Sequence, residues 1–158
     1  MENQNALRQH LLELLEGRSA HIDLETAIRA FPMNLINERI EASPHSPWEL
    51  LEHIRIAQWD IVEFCRNAEH VSPEFPDGYW NLGVASVNDW QSSVEQIADD
   101  LGSMRDIVAD ANNDLFAPIP HGTGQTLLRE AMLIADHNSY HLGQLLLLKK
   151  TLEAQGCT

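Results

Sequence analysis

Cysteine is scarce in this chain of 158 residues, which has only Cys65 and Cys157. Two cysteines make no dense disulfide framework, and Cys157 stands one residue from the C-terminus, where chains fray. Both read as free thiols of a reducing compartment. Positive charge is scarce as well. Ten lysines and arginines face 24 aspartates and glutamates, a formal net charge of −14. Such a surface opposes direct contact with nucleic acid, which needs cations to displace counterions from phosphate, and opposes docking on anionic lipid. No stretch approaches about 18 apolar residues, so no membrane span is expected. The stretch MENQNALRQHLLELLEG lacks the basic start and long apolar run of a signal peptide. The expected location is cytoplasmic. Alternating β-branched and aromatic runs are missing, which excludes a sheet as the organising element. Repeats, low-complexity tracts and a Pro/Gly-rich linker are missing too. The length then fits one domain over 1–158, large enough to fold around its own core.

Helical spacing recurs instead. Leu7, Leu11, Leu14 and Leu15 predict a first helix over Asn3–Glu16, stopped by Gly17. Leu24, Ala27, Ile28 and Phe31 predict a short helix over Asp23–Phe31, ended by Pro32. Met33–His45 reads as an irregular connection. Ser46-Pro47-Trp48-Glu49 supplies an N-cap serine, a proline at the first helical position and a glutamate to close a capping box. A long helix to near Asn67 is expected from there. Pro73, Pro76 and Gly78 make Glu69–Tyr79 a loop. Ser86 and Asp89 open a third long helix, whose apolar stripe from Val87 through Trp90, Ile97 and Met104 runs to near Ala111. Asn112–Gly124, with two prolines and two glycines, is loop, and the last long helix is expected over Gln125–Ala154. The fold class is therefore all-α, a four-helix bundle. The connections exceed the roughly two to eight residues usual in bundles, so at least one is expected to cross over.

Eight histidines stand out in this background. At about 100° per residue, His137 and His141 fall within the stripe of Ile134, Leu145 and Leu148. They are four residues apart, so both rings face one side of the helix and can share one ion. On the second long helix, His53 shares its face with Leu50, Ala57, Asp60 and Phe64. Three inward imidazoles from two helices give a divalent cation three neutral ligands and leave positions open for water or substrate. The competing reading is a set of core histidines, each satisfied by one hydrogen bond. His10, His21, His45 and His70 read as surface residues. His121, in Pro120-His121-Gly122-Thr123-Gly124, is a weaker candidate for a pocket rim, although turning and capping explain that loop. Asp60 and Glu130 lie two turns from His53 and His137; either is open to a role as base or ligand partner, or to one as a helix-face charge. Tyr140 and Gln144 are open to lining a pocket edge or to ordinary packing. The four tryptophans are open to walling a pocket or to filling the core. Leu145-Leu146-Leu147-Leu148 is apolar all round, and a homodimer is the simplest cover for it. Cys65 sits in an apolar helix and reads as packing.

Pro44-His45-Ser46-Pro47-Trp48-Glu49-Leu50-Leu51-Glu52-His53 and Ala135-Asp136-His137-Asn138-Ser139-Tyr140-His141-Leu142-Gly143-Gln144 resemble the DinB/YfiT-like superfamily, bacterial proteins unrelated to the DNA polymerase that shares the DinB name. The resemblance covers almost the whole chain. It implies an up-down-down-up bundle, commonly dimeric, with a divalent metal held by His53, His137 and His141. Imidazole nitrogen suits zinc and nickel, and also iron or copper. The resemblance further implies a metal-dependent enzyme of the bacillithiol-transferase-like group, with a small-molecule substrate and a low-molecular-weight thiol. The alternatives are a hydrolase that activates water and a non-enzymatic protein that binds or sequesters metal under stress.

Overall fold

The computed structural model describes residues 2–18, 20–41 and 43–156; the side chains of Glu2 and Asn3 are outside the description, as is Cys157. Five α-helices follow in chain order: α1 (Glu2–Glu16), α2 (Leu24–Arg29), α3 (Pro47–Arg66), α4 (Val87–Ala109) and α5 (Leu127–Ala154). Short 3₁₀ turns lie at Met33–Leu35 and Asp77–Tyr79, and among the described residues the only β-pairing is an isolated bridge between Pro118 and Thr126.

Side chains fix the helix starts. The Ser46 hydroxyl accepts from the Glu49 N–H at 3.3 Å, and the Glu49 carboxylate accepts from the Ser46 N–H at 3.0 Å. That closed capping box satisfies two donors a bare helix end would leave unpaired. Ser86 and Asp89 repeat the arrangement at α4, Asp23 caps α2, and Thr126 caps α5. The fourth long helix thus begins at Leu127 rather than at the expected Gln125, because Thr126 takes the cap position.

The four long helices close a ring in which α3 packs on α4 and α5, and α1 packs on the same two. Bonds along the interfaces give the directions. From Ser93–Glu52 through Gln58–Ile97 to Arg66–Ser103, partners on α3 and α4 advance together, so these helices are parallel. The chain must therefore cross back between them over residues 67–86. On α5 the order reverses: Leu50 faces Leu148 across a cavity, while Val62 packs in the cluster that holds Ala131 and Ile134.

The core falls into two apolar clusters. One gathers Leu51, Ile54, Trp90, Ile97, Leu145 and Leu152 with α2 and the 3₁₀ turn after it. The other gathers Leu11, Leu15, Val62, Met104, Val108 and Ile134. Fully buried leucines such as Leu51 and Leu145 each contribute about 1.5–3 kcal/mol. A polar belt lies between the clusters. Asn138 donates to Gln58 at 2.8 Å, and Gln58 donates to the Ile97 carbonyl at 2.7 Å, which ties α5, α3 and α4 at one level. No helix among the described residues is long and apolar enough to cross a membrane.

The leucine run on α5 is mostly covered by the chain itself. Leu145 and Leu148 are buried, Leu146 packs against the core, and Leu147 alone stands out at 68% exposure.

Candidate metal centre

The polar belt continues into the three inward histidines. His53 on α3 and His137 and His141 on α5 bring ring nitrogens within 4.8 Å of one another. The Nε2 atoms of His53 and His137 are 3.1 Å apart. The ring centroids lie 4.9 Å (His53–His137), 4.6 Å (His53–His141) and 4.4 Å (His137–His141) apart, so three rings converge on one small volume.

Hydrogen bonds fix which nitrogen of two rings faces that volume. Nδ1 of His53 donates to the carbonyl of Tyr79 at 3.0 Å. Nδ1 of His141 donates to Oε1 of Gln144 at 2.7 Å. An oxygen acceptor behind each ring leaves Nε2 with its lone pair exposed. Burial, first of all, holds all three imidazoles below the usual histidine range. His137 is pushed down to about 3, with its two histidine neighbours adding to the effect. The Tyr79 and Gln144 bonds oppose the shift of His53 and His141 without reversing it. The triad is neutral at neutral pH.

With the proton of His53 on Nδ1, its Nε2 accepts from the Nε2–H of His137 when no cation is bound, and a cation would take the place of that proton. Two ligands on a tetrahedral ion at about 2.0–2.1 Å stand about 3.3 Å apart, and His53 and His137 stand 3.1 Å apart. The donor set fits a divalent cation: three neutral nitrogens, two of them oriented by acceptors behind the ring.

The crossover between α3 and α4 builds one wall. Trp80 stacks on His53 at 4.0 Å and on His45 at 3.8 Å, its plane nearly parallel to both rings, and so lies between two imidazoles. Asp60 secures this crossover. Its Oδ1 accepts from Nε2 of His70 and its Oδ2 from the Tyr79 hydroxyl, both at 2.7 Å. Burial and the neighbouring Asp60 push the Tyr79 hydroxyl up to about 12, so it keeps its proton and donates. Asp60 thus holds Tyr79 by its side chain, and Tyr79 holds His53 by its carbonyl.

The remaining candidates fall in other places. Glu130 is buried and paired with Arg129. It lies about 10 Å along α5 from His137 by helical rise. His121 is exposed, and its Nε2 meets the Phe64 carbonyl at 2.6 Å, three turns along α3 from His53. Tyr140 is exposed and sets its ring against His141 at 4.8 Å, while Gln144 orients that same histidine. Of the tryptophans, Trp48 and Trp90 are core and Trp59 meets His70 edge-on; Trp80 alone is stacked on the triad. Cys65 is pushed up to about 12 by burial and by Glu130, which leaves an inert thiol.

Two sequence expectations are corrected. His70 is not a surface residue; its side chain is 6% exposed because Asp60 and Trp59 enclose it. His45 is half-buried, covered by Trp80, with its Nδ1 3.7 Å from Glu49. Both histidines sit in connections, and a local pattern carries no sign that a connection folds back over a helix.

A helical bundle with three converging neutral histidines on two antiparallel helices defines a class of candidate metal-binding proteins. The family model for the DinB superfamily matches residues 4–145, and the chain belongs to that superfamily. Neither the curated proteins nor the solved structures include a match.

Proposed function

We propose that this protein is a metal-dependent enzyme that transfers a low-molecular-weight thiol to a small electrophile. The observation that carries the reading is the neutral triad, with two Nε2 atoms presented by acceptors behind their rings. His53, His137 and His141 would hold a divalent cation, with zinc and nickel first on donor chemistry. A bound divalent cation favours the thiolate form of a thiol beside it at neutral pH. The chain's own part is to fix the imidazoles, keep them unprotonated and shield them behind Trp80. Tyr140 and Gln144 form the α5 side of the same wall.

Both oxygens of Asp60 are taken by His70 and Tyr79, and Glu130 is paired with Arg129. The cation, rather than either of these carboxylates, would therefore ionise the nucleophile, whether a thiol or the water of the hydrolytic alternative. The reading includes a homodimer through the exposed side of α5, where Met132 and Tyr140 leave apolar surface; light scattering across a concentration series tests it.

The central test is metal analysis of tag-free protein purified without chelator, beside the His137→Ala/His141→Ala variant. Near-stoichiometric metal in the native chain, lost in a variant that keeps its helical circular dichroism, is the expected result. Thiol-dependent turnover of an electrophile panel then separates transfer from hydrolysis. No metal after reconstitution with zinc, nickel, manganese and iron would sink the reading. Metal without any turnover would leave a sequestering protein.

A further inference from the structure

A cavity of about 340 Å³ adjoins the triad and shares two of its neighbours. Leu50 and Leu148, both buried, line it, Ile40 adds a wall, and the exposed Leu147 forms a lip. The boundary toward the triad is His45, which stacks on Trp80, and Gln144, which orients His141. The volume falls within the roughly 300–1,000 Å³ of small-molecule sites.

The lining carries no lysine, arginine, aspartate or glutamate. That is unusual for this molecule. Four other cavities each carry both an arginine and an acid in their lining: Arg18 and Asp23, Arg8 and Asp114, Arg55 and Glu52, and Arg29 and Glu95. In a chain of net charge −14, the cavity beside the histidines is built from leucine, isoleucine, proline, serine, threonine and glutamine, with His45 at its boundary. A carboxylate or an ammonium entering it loses hydration and meets no opposite charge in the lining; an uncharged apolar group loses little and gains burial.

We infer that this cavity receives the uncharged, apolar body of the substrate, with the end bearing the reactive group at the boundary formed by His45 and Gln144. The inference deepens the proposed function and rests on it for the identity of the ligand as substrate. The cavity itself selects by desolvation. It takes a neutral aromatic or branched aliphatic group and turns away anionic and cationic analogues of the same shape.

The test titrates benzyl alcohol, benzoate and benzylammonium into the labelled, metal-free chain and follows amide shifts by heteronuclear NMR. The neutral probe is expected to shift Leu50, Gln144 and Leu148 and to bind about tenfold more tightly than either charged match, the penalty of one poorly compensated charge at a half-open site. Leu147→Asp alters an exposed lip and should leave the fold intact while weakening the neutral probe by a similar factor. Thr151→Phe fills the cavity and should remove the shifts. Equal binding of all three probes, shifts at other cavities, or indifference to both variants overturns the inference. Because the probes need no cation, the result in His137→Ala should match the native chain. Metal in the native protein with no probe binding would then sink this inference alone. Probe binding without metal uptake would sink the proposed enzyme and leave a selective apolar site.

Discussion

Two polar clusters, one around Asp60 and one around His53, are anchored two turns apart on one face of α3, and they are built in opposite ways. Around Asp60 the cluster is closed: a carboxylate accepts from His70 and from Tyr79, and each polar group has its partner within the chain. Around His53 the cluster is open: three neutral imidazoles turn toward one another, and the oxygens that touch them sit behind the rings. The lesson is that a buried histidine says little by itself. What fits a histidine to take a ligand is an acceptor behind its ring, which leaves the other nitrogen turned toward the shared volume.

Removing the carboxylate breaks the closed cluster and should give the largest stability change. Asp60→Ala leaves the buried side chain of His70 and the half-buried hydroxyl of Tyr79 without their acceptor, and a loss of about 2–4 kcal/mol in urea unfolding of the metal-free protein is expected. A change under about 0.5 kcal/mol would mean that Asp60 holds nothing.

Acid should act on the open cluster. The triad imidazoles have folded-state values below the ordinary 6.5, with His137 at about 3. Below pH 6.5 the unfolded chain takes up protons that the folded triad refuses, so stability falls as pH falls between about 6.5 and 3 and is unaffected by these groups above that window. His137→Leu removes the most depressed group, and unfolding midpoints across this range should show a shallower acid slope for the variant. Equal slopes would mean that the triad is solvated.

The finest probe is the link between the clusters. Tyr79→Phe keeps the carbonyl that orients His53 but releases its side chain from Asp60. A stability loss of about 1 kcal/mol with an approximately tenfold weaker metal affinity by calorimetry is expected. Loss of stability with unchanged affinity would separate the two clusters.

The open cluster was largely legible in the sequence and the closed one was not. His137 and His141 stand four apart in an apolar stripe, and His53 shares a helix face with Leu50 and Ala57; helical geometry carries such residues inward wherever the bundle closes. The caps at Ser46 and Ser86 were legible for the same reason, since a capping box is written in four consecutive residues. His45, His70, Tyr79 and Trp80 belong to connections. The bond from His53 to Tyr79 spans 26 residues, and no local period encodes it. Glu130 and Asp60 look alike in the sequence, each two turns from an inward histidine, and only the structure gives one to Arg129 and the other to the crossover.

The parallel run of α3 and α4 has a consequence for how the site can change. A 20-residue helix is about 30 Å long. The crossover over 67–86, at about 3.3–3.6 Å per residue when extended, reaches roughly twice that distance. The surplus lets the chain fold inward partway and set Tyr79 and Trp80 against His53. Substitutions along this strap can therefore remodel the wall and tune the access and chemistry of the histidines while the two leucine-rich clusters stay as they are. The helices form the durable frame, and the return path is where one such frame can acquire different tastes.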